Sequence, residues 1–180
     1  MEPRDHTRVA VAKDLAIMAH AAVNHLYDGQ AYSVHLEQVV GIGEHFLYEV
    51  EEVRDHAMIR VALWCHDLIE DCRFTYNDLA SRVGAAADIV YDVTNELGRN
   101  RKERAARTYP KVAANRLAVY VKCCDRLANT RYSRNTGSTM YRKYWQEYPA
   151  FRAALRRDGE YPHLWAALDE ENEFSEERKG

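Results

Sequence analysis

The stretch Val61-Ala-Leu-Trp-Cys-His-Asp-Leu-Ile-Glu-Asp71 decides how the fold is interpreted, because an apolar helical run ends there in ionisable side chains. These side chains belong to His66, Asp67, Glu70 and Asp71. Placing them beside apolar neighbours such as Leu63 and Trp64 costs free energy unless something compensates their charge. A divalent metal ion is the simplest compensator, since imidazole and carboxylate groups suit a first-row transition metal that keeps positions for water and substrate. We therefore predict that this segment forms half of a catalytic metal site.

The other half is expected from two further segments. The apolar run Leu117-Ala-Val-Tyr-Val-Lys-Cys-Cys124 also ends abruptly in charge, at Asp125-Arg126, and Asn129 lies four residues after Asp125 on the same helix face. His35 stands at the start of another predicted helix, where a short preceding loop can aim its imidazole inward. The four candidate metal ligands are His35, His66, Asp67 and Asp125.

Apolar residues recur at three- and four-residue spacing almost throughout, whereas alternation with a period of two is scarce, so the fold class is all-α. The predicted helices cover residues 7–26, 33–48, 52–70, 75–83, 85–95, 111–130, 139–157 and 162–170. Asp28-Gly29 is predicted to close the first helix, Thr75-x-x-Asp78 to form a capping box, and Pro110 to start a later helix. We expect a single-domain helical bundle.

Size and composition describe an ordinary globular protein. The chain has 180 residues, 47% of them hydrophobic and 29% charged, with a formal net charge of −3. That balance exerts no overall attraction on nucleic acid or on an anionic membrane, and neither is expected as a partner. We expect one domain over residues 1–170 and a polar, frayed tail over residues 171–180. The sequence leaves the oligomeric state open.

The four cysteines indicate a reducing compartment. They contain no Cys-x-x-Cys pair, and Cys123 is adjacent to Cys124, which suits neither a zinc ribbon nor a disulfide framework. The N-terminal residues lack an apolar signal core, and no apolar stretch approaches the ~18 residues that a membrane span requires. We expect reduced thiols and a cytoplasmic location.

The order of a His, a His-Asp pair and a distant Asp resembles the HD-domain phosphohydrolases, an all-helical superfamily of metal-dependent phosphate and pyrophosphate hydrolases. His66-Asp-Leu-Ile-Glu-Asp71 resembles the His-Asp-x-x-Glu-Asp motif of guanosine polyphosphate 3′-pyrophosphohydrolases, which comprise the small alarmone hydrolases and the hydrolase half of Rel/SpoT proteins. Three flanking segments are similar to family motifs, namely Ala31-Tyr-Ser-Val-His35, Val90-Tyr-Asp-Val-Thr-Asn95 and Val121-Lys-Cys-Cys-Asp-Arg-Leu-Ala-Asn129.

The resemblance implies a role for each matching residue. His35, His66, Asp67 and Asp125 would bind one divalent metal ion, usually manganese. Glu70 and Asp71 would position and deprotonate the attacking water, and Asn129 would contact the nucleotide.

Substrate recognition departs from the family pattern. Family hydrolases usually carry an Arg-Lys pair near the bound base, where this chain has His25-Leu-Tyr-Asp-Gly-Gln30. Leu36 replaces the usual proline after the metal histidine, and Thr130-Arg131-Tyr132 replaces the usual Met/Leu-Arg-Thr/Asp. The metal-binding motifs match those of the family, but the residues that contact the base do not, so the resemblance does not imply specificity for guanine.

Arginines and a lysine outside these motifs are candidate phosphate contacts. Within Arg99-Asn-Arg-Lys-Glu-Arg-Ala-Ala-Arg107 the better candidates are Lys102 and Arg104, whereas a solvated polar helix or loop is the favoured explanation for most of the stretch. Arg126 either neutralises substrate phosphate or pairs with Glu70, Asp71 or Asp125. The remaining histidines, including His20 and His25, are assigned no role.

Three functions are compatible with these patterns. The first is a manganese-dependent pyrophosphohydrolase that removes the 3′-diphosphate of ppGpp or a related nucleotide. The second keeps the site but acts as a phosphatase on NADPH or another phosphorylated nucleotide, which the missing Arg-Lys pair favours. The third is a nucleotide-binding module without catalysis, which the intact Glu70 and Asp71 disfavour.

Overall fold

The computed structural model describes residues 3–173, most of which lie in helices. In chain order the helices are α1 (Pro3–Ala22), α2 (Ser33–Phe46), α3 (Val53–Cys65), α4 (Leu68–Asp71), α5 (Tyr76–Val83), α6 (Ala86–Val93), α7 (Arg101–Ala114), α8 (Arg116–Asn135), α9 (Met140–Leu155) and α10 (Pro162–Glu171). A 3₁₀ turn, Leu47–Glu49, follows α2. Strands β1 (Leu26–Tyr27) and β2 (Gln30–Ala31) pair antiparallel. The predicted all-α bundle is confirmed.

Helix α8 lies at the centre of the bundle. It contacts α2, α3, α6, α7, α9 and α10. The side chain of Asn115 caps it by accepting hydrogen bonds from the backbone N–H groups of Leu117 and Ala118. Its apolar face is buried, with Val121 and Leu127 fully enclosed. Asp125 therefore emerges from a helix that the rest of the bundle holds in place.

Helices α2 and α3 approach each other closely at Gly43. A Cβ atom at this position would lie 2.3 Å from Leu63 Cδ1, so only glycine fits there without displacing Leu63. The hydroxyl of Tyr120 on α8 donates a 2.6 Å hydrogen bond to the Gly43 carbonyl. The close approach of Gly43 and Leu63 sets the distance between α2, which carries His35, and α3, which ends immediately before His66.

The segment after α1 differs from the prediction. Helix α1 ends at Ala22, and Asp28-Gly29 forms the turn of the β1–β2 hairpin instead of closing the helix. Both turn residues have positive φ, 50° for Asp28 and 79° for Gly29, as a two-residue hairpin with a type I′ turn requires. The prediction of a helix over residues 7–26 was therefore wrong at its C-terminal end.

The helix predicted over residues 52–70 is interrupted at its functional end. Helix α3 ends at Cys65 and α4 begins at Leu68, because Asp67 leaves the helical region with φ −102° and ψ 1°. The interruption falls on the His66-Asp67 pair itself.

Helix α7 was not predicted. The prediction started a helix at Pro110, but α7 begins at Arg101 and contains Pro110, and the predicted 111–130 helix is two helices that meet at Asn115. The side chain of Asn100 caps α7 by accepting from the Glu103 N–H at 2.9 Å, and Glu103 pairs with Arg107 four residues on. The cap and the ion pair explain why so polar a stretch is helical.

The predicted capping box at Thr75 and Asp78 is present. The four cysteines are free and buried. Glu171 ends α10, and residues 174–180 of the predicted tail lie outside the described residues. None of the helices between residues 3 and 173 combines the length and the apolar character that crossing a lipid bilayer requires.

Candidate active site

The four predicted metal ligands meet in one cluster. His35 comes from α2, His66 and Asp67 from the junction of α3 and α4, and Asp125 from α8. His35 Nε2 lies 3.3 Å from His66 Nε2 and 3.4 Å from Asp125 Oδ1. Asp67 Oδ2 lies 2.9 Å from His66 Nε2 and 3.7 Å from His35 Nε2. Segments that are distant in the sequence thus direct nitrogen and oxygen ligand atoms toward one point.

The chemistry of this cluster fits a divalent metal ion. Ligand atoms of His35, His66 and Asp125 all lie within 4.8 Å of one another, and Asp67 adjoins them. His66 Nδ1 donates a 2.9 Å hydrogen bond to the Leu63 carbonyl, so Nε2 is the ring nitrogen that faces the cluster and that would bind a metal after losing its proton. Two buried imidazoles and two carboxylates form a donor set that first-row transition metals accept.

Without a metal, the cluster stabilises itself through opposite charges. Burial alone would lower the pKa of His66, but the charge and hydrogen bond of Asp67 and the charge of Asp125 raise it to about 9. Burial alone would raise the pKa of Asp67 and Asp125, but His66 holds that of Asp67 low, and His35 and Lys122 hold that of Asp125 low. Both carboxylates are therefore ionised and available as ligands.

Tyr32 fixes the orientation of Asp67, a role that the sequence analysis missed. Its hydroxyl donates a 2.5 Å hydrogen bond to Asp67 Oδ2. Its ring stacks on the imidazoles of both His20 and His25, with centroid distances of 4.1 and 4.0 Å, and these two imidazoles also adjoin each other. Tyr32 precedes His35 by one helical turn, so the Tyr-x-x-His spacing could have indicated that both side chains share the site.

Asn129 lies in the site, but its polar atoms are already engaged. Its Nδ2 donates to Asp125 Oδ1 at 2.5 Å, and its Oδ1 accepts from the Tyr27 hydroxyl at 3.0 Å. Tyr27 belongs to the hairpin, and its ring stacks on that of His35 with a centroid distance of 4.8 Å. Asn129 therefore orients Asp125, and Tyr27 orients His35.

Glu70 and Asp71 stand beside the cluster in different surroundings. The Glu70 carboxylate accepts hydrogen bonds from both the backbone N–H and the Nδ2 of Asn95, at 3.2 and 2.9 Å. Asp71 Oδ2 lies 3.8 Å from His25 Nδ1. Burial, with the charges of Asp67 and Glu70, raises the pKa of Asp71 to about 7. Asp71 is therefore suited to exchange a proton near neutral pH, whereas Glu70 is held in place.

A cavity of about 240 Å³ opens onto these groups. Besides Tyr32 and the acidic and amide side chains near the cluster, its lining includes four cations and two further phenol rings, namely Arg101, Arg104, Lys122, Arg126, Tyr109 and Tyr144. Of the predicted phosphate contacts, Arg104 and Arg126 line the cavity. Lys102 is exposed and is not among the lining residues, whereas its neighbour Arg101 is.

No protein-family model and no curated protein matches the chain. A solved structure does match, and it is that of a metazoan ortholog of SpoT that hydrolyzes ppGpp and plays a role in starvation responses. The superposition has a TM-score of 0.73 and covers 91% of this chain and 93% of that one. The chain has the fold of this SpoT ortholog. The two sequences are 20% identical over the match, so the likeness concerns the fold, and it agrees with the fold that the sequence motifs implied.

Proposed function

We propose that the protein is a metal-dependent phosphohydrolase that removes the 3′-diphosphate of ppGpp or a related nucleotide as pyrophosphate. The observation that carries this proposal is the convergence of His35, His66, Asp67 and Asp125 beside a cavity that Asp67 and Asp125 line together with acid–base groups and cations. The fold shared with a ppGpp-hydrolysing protein supports it. In this proposal the protein is an HD-domain hydrolase over residues 1–170 and acts in the cytoplasm.

The four ligands would hold one divalent ion, for which the motif resemblance favours manganese. When bound, such an ion lowers the pKa of a water molecule toward neutrality and offsets phosphate charge. Tyr32 and Asn129 support this function indirectly, because each donates a hydrogen bond to one of the ligand carboxylates.

In the proposed reaction, water adds to phosphorus and the bond between that phosphorus and the 3′ oxygen breaks. Asp71 accepts the proton of the water, and Glu70, held by Asn95, orients the water through its carboxylate. The 3′ oxygen takes up a proton from solvent and leaves as the nucleotide hydroxyl, and Asp71 afterwards returns the proton of the attacking water to solvent. Arg104 and Arg126 face the negative charge of the phosphates.

A second candidate is a phosphatase that acts on NADPH or another phosphorylated nucleotide. The observation that favours it is the hairpin over residues 26–31, which the motif comparison matches to the family's Arg-Lys pair. Residues 25–30 contain no arginine or lysine that could contact a base, and Gln30 and Asp28 are both hydrogen-bonded to the Tyr132 hydroxyl, at 3.1 Å each. A substrate with a different base or a different leaving group would suit such a site.

One panel of substrates tests both candidates. Purified protein is stripped of metal, reloaded with manganese or another first-row ion, and incubated with ppGpp, NADPH and nucleotide 2′- or 3′-monophosphates. Release of pyrophosphate from ppGpp supports the first candidate, and release of phosphate from the other substrates supports the second. Asp67→Asn is the inactive control. Nucleotide binding without turnover under every metal would instead indicate a binding module.

A further inference from the structure

Glu147 of α9 lies in the cavity and binds two of its arginines. Its Oε1 accepts from Arg101 Nε at 2.5 Å, and its Oε2 accepts from Arg101 Nη2 at 2.9 Å and from Arg126 Nη1 at 3.1 Å. Arg101 belongs to α7 and Arg126 to α8. A fork of guanidinium groups around one carboxylate has the geometry in which proteins also hold a phosphoryl group.

The two arginines share an aromatic support. The guanidinium carbon of Arg126 lies 5.0 Å from the centre of the Tyr144 ring, and that of Arg101 lies 5.7 Å from it. Arg126 also lies 4.9 Å from the centre of the Phe151 ring, and its side chain is only 10% exposed. These rings give the guanidinium groups a second set of favourable contacts besides those with Glu147.

The carboxylate cancels much of the positive charge that the cavity would otherwise present. Burial alone would raise the pKa of Glu147, but the hydrogen bond from Arg101 and the charge of Arg126 lower it, so the group stays ionised. The positive charge of Lys122 also has partners within the protein, because its Nζ donates to the Val93 carbonyl and lies 3.6 Å from Asp125 Oδ2. Arg104 also lines the cavity.

We propose that Glu147 fills a built-in anion subsite and thereby limits how much negative charge a substrate can bring into the cavity. A phosphoryl group can use Arg101 and Arg126 together only by displacing this carboxylate. The inference rests on the proposed function and refines it. Among nucleotides related to ppGpp, the preferred substrates would be those that carry fewer phosphoryl groups than ppGpp. In this role Glu147 determines specificity and takes no part in the chemical step.

Binding of inorganic pyrophosphate to the metal-free protein tests this role without any turnover. We expect Glu147→Gln to bind pyrophosphate about tenfold more tightly than the wild type in calorimetry, because the isosteric amide removes the competing charge. Glu147→Asp keeps the charge and should show no tightening. Glu171→Gln, which removes a carboxylate paired with Arg131 and Arg134 on α8, is the control outside the cavity.

Unchanged or weaker pyrophosphate binding in a folded Glu147→Gln protein would overturn the proposal and leave Glu147 as a brace between helices. If that variant does not fold, Arg101→Gln gives a second test. It removes one cation and keeps Glu147, so we expect pyrophosphate binding to weaken about tenfold, and unchanged binding would contradict the subsite. Because no nucleotide is turned over, failure of the proposed hydrolase activity would leave both results interpretable.

Discussion

The hydroxyl of Tyr32 donates a 2.5 Å hydrogen bond to Oδ2 of Asp67, so the N-cap residue of α2 fixes a carboxylate at the junction of α3 and α4. Burial and the charge of Asp67 raise the pKa of Tyr32, so the phenol keeps its proton and remains the donor. The stacking of Tyr32 against both His20 and His25 holds the donor in place.

Tyr32→Phe should weaken metal binding about 10- to 100-fold, because hydrogen bonds to metal ligands typically contribute that much to affinity. Calorimetric titration of the metal-free protein with manganese measures the change. Tyr48→Phe, at a position that is 64% exposed, is the matched control. Equal affinities for the two variants would show that the Tyr32 hydroxyl does not support a ligand.

Asn129→Ala separates a positioning role from a nucleotide contact. Because both polar atoms of Asn129 are engaged with Asp125 and Tyr27, we expect the variant to lose metal affinity by about tenfold or more. The Michaelis constant measured at saturating metal should change little. A large rise in that constant with unchanged metal affinity would instead assign Asn129 to the substrate.

Asp71→Asn should lower kcat by a factor of about 10² to 10⁴, the usual contribution of a positioned base, while leaving metal affinity near that of the wild type. Steady-state kinetics and calorimetry on the same preparation measure both quantities. Asn77→Ala, at an exposed position of α5, serves as the control. Full activity in Asp71→Asn would remove Asp71 as the proton acceptor.

His20 should make stability depend on pH. Burial lowers the pKa of its imidazole to about 4 in the folded protein, from an ordinary value of 6.5. Between these values the unfolded chain binds more protons, so stability falls as the pH drops below about 6.5. From pH 7 to pH 5 the wild type should lose about 2 kcal/mol through this group.

Urea unfolding at the two pH values checks this expectation. His20→Gln should lose correspondingly less stability on acidification than the wild type, and His45→Gln, at an exposed position of α2, should behave like the wild type. The same pH dependence in all three proteins would contradict the role of His20.

Two glycines of α2 provide a matched test of packing. Gly43→Ala should destabilise the protein by about 1–3 kcal/mol, because the added Cβ overlaps Leu63 of α3. Gly41→Ala has no atom within 4 Å of the added Cβ and should stabilise the helix by about 0.5–1 kcal/mol. Chemical denaturation of both variants measures the difference, and the same sign for both would contradict the close approach of α2 and α3.

The parts of the fold that local patterns determine could be predicted from the sequence. Long apolar runs that end abruptly in charge located His66, Asp67 and Asp125, and the Thr75 capping box was visible in the sequence. Such features depend on neighbours within one or two turns. The hairpin escaped prediction because Asp28-Gly29 suits both a helix end and a type I′ turn.

Features that depend on distant partners could not be predicted in this way. The pairs Tyr32–Asp67 and Arg101–Glu147 are separated by 35 and 46 residues, so no local spacing indicates them. Helix α7 was missed because Pro110 suggested a start, although proline can be accommodated inside a helix at the cost of one backbone hydrogen bond. The wrong helix start also explains why Lys102 was predicted as a phosphate contact and Arg101 was not. Which side chains of α7 face the cavity depends on where the helix begins.

The buried cysteines can report on transient local unfolding of the helices that surround them. Burial raises the pKa of Cys65 to about 12 and raises those of Cys123 and Cys124 well above their ordinary value, so the native thiols are both protonated and inaccessible. An alkylating reagent can then modify them only while the surrounding helices are transiently separated. The rate of alkylation of the cysteines on α3 and α8 therefore measures how often these two helices, which carry candidate metal ligands or end beside them, separate. The measurement needs no introduced label.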